Sequence, residues 1–175
     1  MQYYGGAAGL QLVEELVALR RAGAPGTERV LGIGMDSTEL GVDPREFAPA
    51  YAVATAAGLR RTAHQGEDTP PSAIGLCVDE LGAERIDHGL SLLGDPAPAA
   101  RLAAERIPLT VCPTSNIVIA NRVKTLAEHP FPAMRRAGLL ATINTDDPAM
   151  TGCRCTRSTW TARRRSATRS TTWWR

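Results

Sequence analysis

A parallel α/β sheet is the fold class that this 175-residue chain predicts, on three observations. Five short apolar runs of strand length alternate with stretches of helical periodicity. Proline and aspartate stand where helices would begin, and glycines where they would stop. Polar residues with chemistry to offer follow the strands rather than the helices. Alternation of strand and helix builds βαβ units and hence parallel pairing. In such sheets the loops after the strands gather at one rim, where ligands bind.

The elements follow in order. Leu10, Val13, Leu16 and Val17 recur at helical spacing, with Glu14 and Glu15 on the other side, so 7–21 reads as an amphipathic helix ended by Gly23 and Pro25. Residues 29–35 form a strand closed by the polar turn Asp36-Ser37-Thr38-Glu39. A helix over 44–57 has Asp43 to cap it, Pro44 in its first turn and Gly58 to stop it. Residues 59–64 are a short strand leading into Gln65-Gly66-Glu67-Asp68, followed by a helix over 72–81 that ends at Gly82. A terse strand over 85–89 precedes a helix from 97 to 106. Residues 107–112 are a strand opening into the loop Pro113-Thr114-Ser115-Asn116. A helix around 131–137 leads to the last strand, 139–143, and to Asn144-Thr145-Asp146-Asp147-Pro148.

Composition sets the class of protein. Hydrophobic residues make up 43% of the chain but aromatic ones 5%, so alanine-rich helices and small-residue turns must supply much of the packing. Residues 1–150 hold 13 Lys+Arg against 18 Asp+Glu, net −5, whereas 151–175 hold seven Arg and no acid, net +7. A charge argument for a nucleic-acid partner would rest wholly on that tail, with Trp160, Trp173 and Trp174 stacking on bases. With almost no aliphatic residue to bury, 151–175 reads instead as a disordered or non-native terminus, and nucleic acid is not an expected partner. Cys77, Cys112, Cys153 and Cys155 show no Cys-x-x-Cys spacing, and the first two read as reduced core residues. No basic-then-apolar leader opens the sequence and no apolar run reaches bilayer length, so a membrane is not expected and the cytoplasm is.

Adjacent carboxylates at the mouth of a buried strand need a cation, a metal or strong donors to hold them. Asp146 and Asp147 are therefore site candidates; the alternative is that one of them caps a helix beginning at Pro148. His64 stands at a strand end three residues before Glu67, and His88 at the end of the next strand. Either histidine alone reads as a hydrogen-bonded structural residue. Together with the aspartates they supply a neutral nitrogen donor, an anionic oxygen donor, a spare base and a spare acid, which is what zinc-dependent hydrolysis requires.

The phrases Thr62-Ala63-His64-Gln65-Gly66-Glu67, Arg85-Ile86-Asp87-His88-Gly89, Cys112-Pro113-Thr114-Ser115-Asn116 and Asn144-Thr145-Asp146-Asp147-Pro148 stand in the order and at the spacing of one known family. Over about residues 1–150 the chain resembles the adenosine/adenine deaminases, zinc amidohydrolases with a TIM (β/α)8 barrel; Gln65 takes the place of the usual Ala. The resemblance implies a partial barrel of about five parallel strands with flanking helices, the N-terminal strands being missing. It implies that His64 and Asp146 are zinc ligands and that Glu67, protonated, donates to purine N1. His88 would orient and deprotonate the water and stabilise developing charge. Asp147 would bond purine N7, and Ser37 lies where the family offers a contact to N3. The implied reaction is hydrolytic deamination of adenosine to inosine in purine salvage, with a small purine nucleoside or base as partner. Adenine is the rival substrate, and a non-catalytic purine-binding remnant the rival class.

One departure bears on activity. The family's first barrel strand carries His-x-His, two further ligands, and no histidine precedes His64 here. The remaining histidine, His129, lies before Pro130 with no motif around it and is not expected to replace them. A catalytic zinc takes three protein ligands and an open position. The chain alone therefore reads as a fragment with weak or no activity.

Overall fold

The computed structural model describes residues 4–153. Residues 154–175, nearly all of the Arg- and Thr-rich segment set apart above, lie outside the described residues. Five parallel strands form one sheet in the order β1-β2-β3-β4-β5: β1 Gly32–Met35, β2 Arg60–Gln65, β3 Arg85–His88, β4 Pro108–Val111 and β5 Leu140–Ile143. Each strand pairs with its sequence neighbour, the order in which a βαβ series winds around a barrel wall. Helices α1 Gly5–Arg21, α2 Ala48–Ala56, α3 Pro71–Asp79, α4 Pro96–Ala104, α5 Pro113–Val118, α6 Phe131–Arg136 and α7 Pro148–Thr151 stand between and beside the strands.

The first strand begins at Gly32 rather than at residue 29, which lies in a 3-10 turn, Thr27–Arg29, and a further 3-10 turn, Leu90–Gly94, follows β3. Two further differences concern helices. The helix expected over 44–57 is divided into a 3-10 turn, Pro44–Phe47, and α2. Pro49 has no N–H to donate to the carbonyl of Arg45, so the first turn tightens and Ala48 N–H bonds Arg45 O instead. Residues 113–116, expected as a loop, are the first turns of α5. Pro113 suits the opening position, and Asn116 N–H closes the turn on Cys112 O at 2.9 Å. The consequence is functional, because α5 buries Asn116 completely at the rim.

The two faces of the sheet divide the work. Met35, Ala63, Ile86 and Leu109 are fully buried, in one cluster with Val13, Phe47, Ile74 and Leu102. Burial of each branched side chain there contributes about 1.5–3 kcal/mol. Alternate strand positions carry a polar layer. Asp87 accepts hydrogen bonds from the hydroxyls of Thr62 on β2 and Thr110 on β4, and Arg85 adds an ion pair at 3.2 Å. One carboxylate thus ties three adjacent strands in register, at the level of His64, whose register partner is Asp87.

Tyr51 fixes β1 against β2. Its hydroxyl accepts the Met35 N–H at 3.0 Å and donates to Thr62 O, at 1% exposure. Tyr51→Phe leaves a buried N–H without its acceptor and is expected to destabilise the chain by about 1–3 kcal/mol. Urea unfolding should show a lower midpoint with an unchanged slope; an unaltered midpoint would mean that β1 is held by pairing alone.

Candidate active site

The site collects where β1, β2, β3 and β5 end. Ser37, His88 and Asp146, which end or follow β1, β3 and β5, all have left-handed backbones, with φ of 87°, 69° and 59°. For residues with a Cβ this conformation costs about 1 kcal/mol or more each, and such strain gathers at functional rims.

His64 and His88 lie side by side, ring centroids 4.3 Å apart. His64 Nε2 is 3.8 Å from Glu67 Oε2, and His88 Nε2 is 3.8 Å from Asp146 Oδ2. His88 Nδ1 is 3.2 Å from Glu67 Oε1. The ligand atoms of His64, Glu67 and His88 all lie within 4.8 Å of one another, and so do those of His88, Cys112 and Asp146. Four of the five expected residues, His64, Glu67, His88 and Asp146, thus gather in two neighbouring groups that share His88. The fifth, Asp147, is exposed at the start of α7. It occupies the capping position, but its side chain makes no cap hydrogen bond, so the capping alternative explains neither aspartate.

Glu39 organises the loop beneath these groups. Its side chain is wholly buried and accepts from His64 Nδ1 at 2.9 Å. It also accepts from the backbone N–H groups of Gly66, Glu67, Asp68 and Thr69 at 3.0 to 3.1 Å, and from the Thr69 hydroxyl at 2.6 Å. Burial works to raise the pKa of Glu39, but the His64, Thr69 and backbone donors outweigh it and hold the carboxyl at about 2. With Nδ1 committed to Glu39, His64 presents Nε2 to the cluster. A carboxylate behind the imidazole is the usual support of a metal-binding histidine. The residues therefore offer nitrogen and oxygen donors of the kind that suit a divalent ion.

Protonation follows from the surroundings. Burial raises the pKa of Glu67 against the opposing pull of His64 and Asn116. Burial disfavours the charged form of His64, but the bond to Glu39 and nearby carboxylates prevail and raise its pKa. Burial and the neighbouring His64 bring His88 down to about 4, so His88 is neutral at pH 7. Glu67 also lines an open cavity of about 390 Å³ with Leu90, Ser91, Arg122, Lys124 and Pro130. That volume is in the range of small-molecule sites.

Glu39, Asn116 and His129 support the site yet carry no role in the sequence reading; Asn116 ends the phrase Cys112-Pro113-Thr114-Ser115-Asn116, whereas His129 has no motif around it. Asn116 Nδ2 donates to Glu67 Oε1 and lies 3.0 Å from His88 Nδ1, while His129 Nε2 is 3.2 Å from Asn116 Oδ1. His129 Nε2 is thus engaged with the Asn116 amide. The available sequence signal for Glu39 was its place in a turn after a strand, the same place that marked the other site residues.

Comparison with known proteins gives a consistent result. The adenosine deaminase family model matches residues 6–174. The chain is 51% identical over 131 residues to an adenine deaminase of Streptomyces coelicolor, covering 75% of this chain and 38% of that protein. It is 46% identical over 147 residues to an aminodeoxyfutalosine deaminase of Streptomyces avermitilis, covering 84% and 41%. Among solved structures it is similar to an adenine deaminase from Arthrobacter aurescens, with a TM-score of 0.84 and 40% identity over 93% of this chain and 47% of that one. It is also similar to an amidohydrolase from Burkholderia ambifaria with bound zinc, with a TM-score of 0.71 and 32% identity over 86% and 42%. The fold is thus part of an amidohydrolase-type (β/α)8 barrel, and the chain spans about two fifths of the length of the curated relatives it matches.

Replacing Glu39 by Gln removes the charge but keeps the shape. At pH 7 the variant should be less stable by about 2–3 kcal/mol, because charged hydrogen bonds to buried donors are lost. A carboxyl held at about 2 against an ordinary 4.5 contributes stability that is complete above pH 4.5 and is lost as pH falls toward 2. Denaturation midpoints should therefore fall more steeply for the wild type than for Glu39→Gln across that window. Parallel pH profiles would show that Glu39 is not held as a charge.

Proposed function

Because this chain belongs to the adenosine deaminase family, we propose that its residues serve zinc-dependent hydrolytic deamination of a 6-aminopurine, with adenine as the first substrate to test. The observation that carries the reading is the convergence of His64, Glu67, His88 and Asp146 at one rim, with His64 backed by Glu39. Adenosine, the first expectation from sequence, becomes the second reading. Relatives at 51% and 46% identity are named for adenine and for aminodeoxyfutalosine, and the chain is similar to an adenine deaminase structure at 40%.

His64, through Nε2, and the Asp146 carboxylate would hold the zinc. When bound, zinc supplies a nucleophile near neutral pH by acidifying water. Glu67, whose pKa burial pushes above the ordinary carboxylate value, would deliver a proton to the purine ring nitrogen N1 and so make C6 electrophilic. His88 faces Asp146 through Nε2, where it orients the attacking water and stabilises the charge that develops. Orientation by donation needs a proton on Nε2, whereas deprotonation of the water needs a lone pair there. Asp147, exposed beside this point, would contact N7. Free, buried Cys77 and Cys112 are in keeping with a reducing, cytoplasmic setting. Among the described residues no helix is long and apolar enough to cross a membrane.

The matched motifs supply two ligands where a catalytic zinc takes three. The chain alone is therefore proposed to turn over little, and to act where a His-x-His pair completes the set. Purified chain with added zinc should convert adenine, adenosine and aminodeoxyfutalosine negligibly; ordinary enzyme rates would overturn the ligand argument. In the same protein joined to a His-x-His strand, Glu67→Gln should lower turnover at least 100-fold while zinc content stays, and His64→Ala should lose zinc. Loss of zinc from Glu67→Gln would reassign Glu67 as a ligand.

A further inference from the structure

We propose that His129 is a positioning residue that decides which nitrogen of His88 carries the proton, acting through the side-chain amide of Asn116. The geometric part stands on the histidine network alone; its catalytic consequence rests on the deaminase reading above.

The chain of bonds starts from a group that can only donate. The backbone N–H of Phe131 points at His129 Nδ1 at 3.1 Å, so Nδ1 is the unprotonated nitrogen of a neutral ring. His129 is 5% exposed, and burial alone lowers its pKa to about 4, which keeps the ring neutral. Its proton then sits on Nε2, 3.2 Å from Asn116 Oδ1. An amide oxygen can only accept, so this bond fixes which end of the Asn116 amide faces which way. Asn116 is completely buried, and its backbone is pinned as well. Its N–H bonds Cys112 O, and its carbonyl accepts from Arg122 N–H at 2.9 Å.

Oriented in this way, the Asn116 amino group turns its two hydrogens to Glu67 Oε1 and to His88 Nδ1, at 3.0 Å from the latter. His88 Nδ1 must then accept, and the neutral ring keeps its proton on Nε2, facing Asp146. The competing arrangement puts the proton on Nδ1 and donates it to Glu67 Oε1 at 3.2 Å. That would set an imidazole N–H against an amide N–H, and Asn116 could relieve the conflict only by flipping, which His129 prevents. His88 therefore presents a donor to the oxygen of the attacking water rather than a lone pair. Glu67 Oε1 is likewise assigned as the accepting oxygen, leaving Oε2 to carry the proton given to substrate.

The test needs neither metal nor substrate. In metal-free chain labelled with ¹⁵N in its imidazoles, long-range proton–nitrogen correlation at neutral pH reports each tautomer. Wild type should show both His88 and His129 protonated on Nε2. His129→Gln, whose amide N–H can still reach Asn116 Oδ1, should leave His88 on Nε2. His129→Leu should shift at least half of His88 to the Nδ1 form as the amide flips. Protonation of His88 on Nδ1 in the wild type overturns the proposal, with no variant required. So does a folded His129→Leu chain in which His88 is unchanged. Failure of the deaminase assays would leave these tautomers where they are, so the two ideas fail separately.

Discussion

The site depends on one buried carboxylate. Glu39 leaves β1 and reaches across to the loop after β2, where it gathers an imidazole N–H, a hydroxyl and four successive backbone N–H groups. A lone charge at that depth would be prohibitive, and this many donors hold it ionised. The loop is shaped by the charge in turn. Gly66 takes φ of +83°, and a Cβ there would come within 2.4 Å of Ile74, so the turn that brings four N–H groups onto Glu39 has room for glycine alone. His64 and Glu67, at the two ends of that turn, are placed by the same interaction.

Below the rim, the sheet is built so that these placements hold. Asp87 bonds threonines on both neighbouring strands and Tyr51 ties β1 to β2, so β1, β2, β3 and β4 are locked in register before any side chain reaches the site. A slip of one residue would turn His64 from the rim toward the helices. The strained backbones at Ser37, His88 and Asp146 are tolerated on this footing, since a rigid sheet supports what each loop could not keep by itself.

Two histidines that lie side by side have unlike partners on their rear nitrogens. His64 has a carboxylate behind Nδ1, which leaves Nε2 facing the cluster, the arrangement proposed for a metal ligand. His88 has an amide nitrogen behind Nδ1, supplied by α5 and steadied by His129. The partner on the rear nitrogen, more than the ring's own position, decides whether the front nitrogen offers a lone pair or a proton.

How much of this the sequence carried can be argued residue by residue. Strand–helix alternation, glycine stops and the residues that follow each strand are local patterns, so the parallel fold, the five strands in order and the set His64, Glu67, His88 and Asp146 were legible without coordinates. The order of strands in a βαβ series leaves little freedom, and residues just past the strands must share one rim. Hydrogen bonds made across long stretches of sequence leave no periodic trace, and these only the tertiary structure decided. Glu39 lies 25 residues from His64, and Asn116 lies 49 from Glu67. A turn glutamate and a histidine before a proline look like surface residues until packing removes water from them. Burial then turns an unremarked carboxylate into an anchor and an unplaced imidazole into the support of an amide.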